Sequence, residues 1–351
     1  MPLSNKRYDW IDIARGIGII LVVFGHCAGG IYPTLIAMLD IFSLPLFFII
    51  AGYLFKPQKN LILSLYTKAI RFLLPFISIF LLIVTISLFL NLFTIEYTIK
   101  HLKKMVWGGI YWWHCFRGYF TPMWFLACMF MTQIIYNFFH KYFSQFTINI
   151  ISLLMLIGAY LYQIYLFNVW IPWFANIVLM ALPLYNIGYI IRTKDIHFSP
   201  KLVYVIAISY FLSIFWFPLN HNRFIQNYYG IPVITFIGGI FGSLLVMDIA
   251  KRIERRKSKF KEIFKSLGKS SLIILGFHIS ILYICSNLNL FRINSYYLRS
   301  IFFTIFTISI SHLLYLIFNK YRITQILFLG NYQELNKIVK KLMTFVIHKK
   351  Q

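Results

Sequence analysis

Long apolar stretches separated by short polar connections run from one end of the chain to the other. Ten recur, at residues 10–32, 35–55, 70–95, 122–140, 146–167, 171–192, 200–217, 229–250, 271–289 and 297–318. Amphipathic alternation of the kind a soluble surface needs is hard to find along them, and many windows of about twenty residues are nearly free of charge. Each run is longer than a barrel strand, and only helices satisfy their own backbone polar groups where no water is present. The pattern therefore predicts an all-α fold: a polytopic integral membrane bundle of about ten transmembrane helices. An even count places both termini on one side.

Composition agrees. Hydrophobic residues make up 60% of the 351 residues and charged residues 12%, which excludes an ordinary soluble domain. The net charge of +25 would suggest nucleic acid on a soluble chain. Its distribution assigns it differently. With Arg15 set aside inside the first helix, 26 Lys and Arg lie in the segments that alternate with the N-terminus and seven in the opposite loops. Basic residues stay preferentially in the cytoplasm, so both termini are predicted to be cytoplasmic and the charge to serve topology and anionic membrane lipids, with no nucleic-acid partner.

The richest basic run, KRIERRKSKFKEIFKSLGK at 251–269, is predicted to be a cytoplasmic anchor, with contact to a phosphorylated cofactor as the alternative. In LNKIVKKLMTFVIHKK, 335–350, apolar positions share a helical face opposite lysines. This divides the chain into a transmembrane domain, 1–320, and a basic amphipathic tail on the inner leaflet, 321–351. A cleavable signal peptide is not expected, because the first apolar run is too long and contains Asp12 and Arg15. Cys27, Cys115, Cys128 and Cys285 have no paired spacing, so neither a metal site nor a disulfide framework is expected. Nor is there a sequence repeat of the sort that marks many transporters.

Candidate chemistry begins with ARGIGIILVVFGH, 14–26. Arg15 and His26 are eleven residues apart, roughly 16 Å along a helix and within about 20° of one face. Asp12, three residues before Arg15, is placed to pair with it. Taken singly, Arg15 can snorkel to the headgroups and His26 can satisfy an interhelical hydrogen bond. Together on one stripe they favour function, because an ionisable group inside a membrane costs on the order of 2.5 kcal/mol or more.

The segment RYDWIDIARGIGIILVVFGH, 7–26, resembles the first helix of the membrane acyltransferase 3 family, in which Arg, ten residues and His form the hallmark. The subgroup it looks most like is the fucose 4-O-acetylase-like acetyltransferases. SLPLFFIIAGYLFKP at 43–57 is similar to the PLFF segment of the second helix, and YTKAIRFLLPF at 66–76 to the basic stretch leading into the third. Weaker similarities are MWFLACMF at 123–130, ALPLYNIGYIIR at 181–192 and SLGKSSLIILGFHISI at 266–281. Departures are Ser43, where the subgroup often has His, Ala51 before Gly52, and Lys68 in place of the first Arg of the basic pair.

The resemblance implies an O-acetyltransferase of the cell inner membrane, moving acetyl from cytoplasmic acetyl-CoA to a sugar hydroxyl of a surface polysaccharide or its lipid-linked precursor. Arg15, Lys68 and Arg71 would hold the CoA phosphates by charge-assisted hydrogen bonds, with Asp12 orienting Arg15. His26 would act as general base toward the hydroxyl or as the acyl carrier itself. Trp112, Trp113 and Arg117, in the aromatic outer loop 96–121, would dock the glycan, with an interfacial aromatic segment as the other reading. Trp124 is either a substrate contact or an interfacial anchor. His278 is either a group beside the substrate path or a structural hydrogen-bond former. No metal is expected, and a homo-oligomer is compatible with the chain. The competing reading is a transporter or flippase for a lipid-linked sugar or small anion, with His26 as a proton relay.

Overall fold

The computed structural model describes residues 8–28, 33–90, 99, 118–169, 171–213, 223–288 and 293–337. Among them the protein is all-helical, with no β-strand. Helices α1 (Asp9–Ala28) and α2 (Pro33–Tyr53) are followed by α3 (Leu61–Lys68), which continues through a π-helical turn, Ala69–Leu73, into α4 (Leu74–Phe89). A 3₁₀ turn, Gly118–Met123, leads into α5 (Trp124–Tyr142). Then come α6 (Gln145–Tyr165), α7 (Ala175–Thr193), α8 (Pro200–Ser213), α9 (Ile234–Glu254), α10 (Lys259–Lys269), α11 (Ser271–Asn287), α12 (Tyr296–Lys320) and α13 (Arg322–Leu329).

Each of the ten predicted apolar runs coincides with a helix. Eight helical segments are long and apolar enough to cross a membrane, and α10 with α11, bent by 75° at the break between them, would make a ninth. Over its described length α8 is a shorter apolar helix. Two boundaries differ from the sequence pattern for identifiable reasons. The third run begins nine residues early, because the Asn60 side chain accepts from the Leu63 N–H and starts a helix before the charges at Lys68 and Arg71. The eighth begins at Ile234 rather than 229, because Pro232 disfavours helix at the residue before it and Val233 has φ 66°.

Helix α1 is central, packed against α2, α9, α10, α11 and α12. Its first turn is latched to the basic segment. The Lys265 Nζ donates to Asp9 Oδ2 at 2.8 Å, the Trp10 N–H donates to Glu254 Oε1 at 3.1 Å, and Lys251 lies 5.0 Å from the centre of the Trp10 ring. The expected anchor is thus an amphipathic helix, α10, folded against α1. At that crossing the backbones touch: a Cβ added at Gly268 would stand 1.7 Å from the Asp12 carbonyl oxygen, and one at Gly16 2.1 Å from that of Phe264.

The segment beyond 320 begins with α13, which packs on α4 and α12. Residues 338–351, most of the predicted amphipathic tail, lie outside the described residues.

Candidate active site

At the end of the bundle where α1 begins, a cavity of about 470 Å³ opens between α1, α2, α3, the π turn, α5, α7, α10, α11, α12 and α13. Its lining residues include five cations, Arg15, Lys56, Lys68, Arg71 and Lys269, against one carboxylate, Asp12. Asp12 is buried and lies 3.9 Å from Arg15, the ion pair expected from their spacing. Ile19, Phe47, Phe125, Met129 and Leu275 give other parts of the wall an apolar character. A concave site with clustered cations and apolar wall suits a ligand with several phosphates and a less polar arm.

The local sequence explains how the cations reach this space. Pro75 has no N–H, so the carbonyl of Arg71 loses its helical donor, and the chain takes a π turn over Ala69–Leu73. That turn carries Arg71 into the cavity beside Lys68. Gly330, at φ 60°, ends α13 and closes tightly over the Arg71 carbonyl: a Cβ there would lie 2.6 Å from that oxygen. Arg192 Nη1 donates to the carbonyls of Tyr53 and Phe55 at 3.0 and 3.2 Å, which holds the end of α2. The Gln58 N–H donates to Asn137 Oδ1 at 2.9 Å, and Asn137 Nδ2 returns a bond to the Gln58 carbonyl at 3.1 Å. The segment that carries Lys56 is therefore tied to α7 through Phe55 and to α5 through Gln58.

Beyond the cavity stands a pair of imidazoles. His26 lies seven residues past Ile19 on α1, and His278 three past Leu275 on α11, roughly 10 and 5 Å further along their helices. Their ring centres are 5.1 Å apart, inclined at 46°. His26 is accessible; His278 is sealed from solvent. His278 Nδ1 is within 3.0 Å of the Ile274 carbonyl and 2.8 Å of that of Leu275.

The structure thus gathers Asp12, Arg15, Lys68 and Arg71 round one cavity and sets His26 beside His278. Trp124, read from sequence as either a substrate contact or an interfacial anchor, is buried inside the bundle, its ring 6.2 Å from Phe174. Trp112, Trp113 and Arg117 lie outside the described residues. On α9, Asp248 accepts from Arg252 Nε at 2.7 Å. Lys56 and Lys269 were not singled out from sequence, where they look like ordinary loop and anchor charges. His312, also unmarked, bridges Ser266 and Ser270 at 3.3 and 3.1 Å and braces the bend between α10 and α11. Among the described residues no three His, Cys, Asp or Glu side chains come together as a metal site would need.

The model of the acyltransferase 3 family, described as an acyltransferase domain, matches residues 8–316. The chain belongs to this family. The match takes in α1 to α11 and nearly all of α12, and with them both the cationic cavity and the histidine pair. No curated protein and no solved structure matches the chain. Membership makes this a multi-pass membrane acyltransferase, and the cavity and the imidazoles are where the chemistry of that class has suitable groups.

Proposed function

We propose that the protein is an O-acetyltransferase of the cytoplasmic (inner) membrane that moves acetyl from acetyl-CoA to a hydroxyl of a surface or exopolysaccharide sugar, or of its lipid-linked precursor. Within the family it belongs with the fucose 4-O-acetylase-like enzymes. The observation that carries the reading is the division of α1: Arg15 lines a cavity with Lys68 and Arg71, and His26 stands beyond it beside a second imidazole. The distribution of basic residues makes the cavity end cytoplasmic, the side where acetyl-CoA is made. Arg15, Lys68 and Arg71 bind the CoA phosphates, and Asp12 holds Arg15 in place. The acyl end runs along the apolar wall toward His26. Trp112, Trp113 and Arg117, in the loop that the sequence assigns to the outer side, bind the sugar, with Trp124 as a further contact.

Glycan O-acetyl content, measured by NMR in cells lacking the protein and in the same cells complemented with the intact chain, tests this directly. Acetyl is expected to vanish and return. If it never changes while a lipid-linked sugar fails to cross the membrane, the transporter reading replaces this one. Replacing Arg71 by Ala is expected to raise the KM for acetyl-CoA about tenfold or more with a smaller change in kcat, since a charge-assisted phosphate contact contributes on the order of 1.5–3 kcal/mol. A KM equal to that of the intact enzyme would remove Arg71 from the donor site.

A further inference from the structure

An imidazole that attacks or deprotonates needs one bare nitrogen aimed at the reactant, and a third group normally secures this by accepting the N–H of the other nitrogen. On α1 nothing does so for His26: Asp12 is fourteen residues away and paired with Arg15. The neighbouring helix has a suitable group. Carbonyl oxygens only accept, so His278 Nδ1, facing those of Ile274 and Leu275, carries a proton, and Nε2 of the neutral ring is bare. That Nε2 is sealed from solvent and has no hydrogen-bond partner among the described residues. A buried acceptor left open is costly, which argues for a donor that is brought to it. Two imidazoles joined by an N–H···N bond of about 3 Å have ring centres about 5 Å apart. The His26 and His278 rings, at 5.1 Å, already have that separation. What the bond requires at that separation is a His26 nitrogen turned toward His278 Nε2.

We propose that His278 is the positioning residue for His26: its bare Nε2 accepts the His26 N–H, which fixes the tautomer and leaves the other His26 nitrogen bare toward the accessible side. The effect on turnover rests on the acetyltransferase reading above; the orientation of His26 does not. In this arrangement the sugar O–H proton passes to the bare nitrogen of His26 as the sugar oxygen bonds to the acetyl carbonyl carbon; His278 stabilises the imidazolium, and the C–S bond then breaks with the proton returned from His26 to the leaving CoA thiolate.

The test uses the full-length protein with His278→Leu, which keeps bulk without an acceptor, and His278→Gln, whose amide oxygen accepts from about the position of Nε2. Two quantities are read: kcat and KM for acetyl transfer, and the rate at which diethyl pyrocarbonate, which acylates a bare imidazole nitrogen, labels His26 as seen by peptide mass spectrometry. His278→Leu is expected to lower kcat roughly 100-fold or more with KM for acetyl-CoA within about twofold, and to slow His26 labelling several-fold. His278→Gln is expected to recover both to within about tenfold of the intact chain. Unchanged kcat and labelling in His278→Leu overturn the proposal, as does equal impairment of the Leu and Gln proteins, which would mean the site needs an imidazole for packing. If the intact chain transfers no acetyl while His26 labelling still falls in His278→Leu and recovers in His278→Gln, the acetyltransferase reading fails and the orientation stands.

Discussion

A His26→Ala protein, present in the membrane at the level of the intact chain, is expected to have lost acetyl transfer by at least about 10³-fold, with its KM for acetyl-CoA little changed. The expected size follows from the role. A positioned acid or base contributes on the order of 10²–10⁴-fold, and loss of a covalent carrier removes the pathway altogether. Little stability should go with it, because His26 is accessible, near the end of α1, and not part of the packed interior. Donor affinity should survive, because the cavity is lined from Asp12 to Ile19 on α1 and His26 lies two turns further on. The measurement is initial rate against acetyl-CoA concentration in membranes with matched amounts of protein. Retention of a tenth or more of the intact rate would mean the imidazole takes no part in the chemistry. Labelled acetyl appearing on the intact protein but not on His26→Ala, before any sugar is added, would select the carrier over the general base.

How much of this could be read from the sequence depends on whether a feature is local. The helices were legible, because a bilayer demands length and apolarity and both are visible in any twenty-residue window. The Asp12–Arg15 pair was legible because i, i+3 neighbours share a helix face wherever the helix goes. The Arg15–His26 stripe had its spacing right, but the structure divides it between a cavity and an imidazole pair. What decides that division is non-local: His278 comes from a helix some 250 residues further along the chain, and Lys269 reaches the cavity only because the chain bends by 75° beside it. The π turn was within reach, since Pro75 stands four residues after Arg71 and takes away the α-helical donor of its carbonyl. Trp124 shows the opposite failure. Tryptophan at a helix start suggests a headgroup, yet burial depends on which neighbours cover it, and Phe174, just before α7, packs against the ring.

The second large effect is expected at Gly268, a position with no chemistry of its own. Two glycines of the resembling segments mark a helix crossing: a Cβ at Gly52 would meet the Tyr185 carbonyl at 1.8 Å, and one at Gly188 the Ile49 carbonyl at 1.9 Å, so α2 and α7 touch backbone to backbone. Gly268 does the same for α10 on α1, and it also lines the cavity beside Lys269, opposite Asp12 and Arg15. With a side chain at Gly268 the two helices must part by roughly 2 Å to reach an ordinary contact of about 3.5 Å. Overpacking of this kind costs about 1–3 kcal/mol, and displacing catalytic groups by about 1 Å can cost 10²-fold in rate. Gly268→Val is therefore expected to lose at least about 100-fold in acetyl transfer per unit of membrane protein, with a lowered amount of protein as well. Gly158→Ala is the control, since a Cβ there meets only Leu179 Cδ2, at 4.0 Å, and both properties should be unchanged. Should the two variants transfer acetyl equally well, the α1–α10 contact does not set the geometry of the donor cavity, and Arg15 must be held by Asp12 instead.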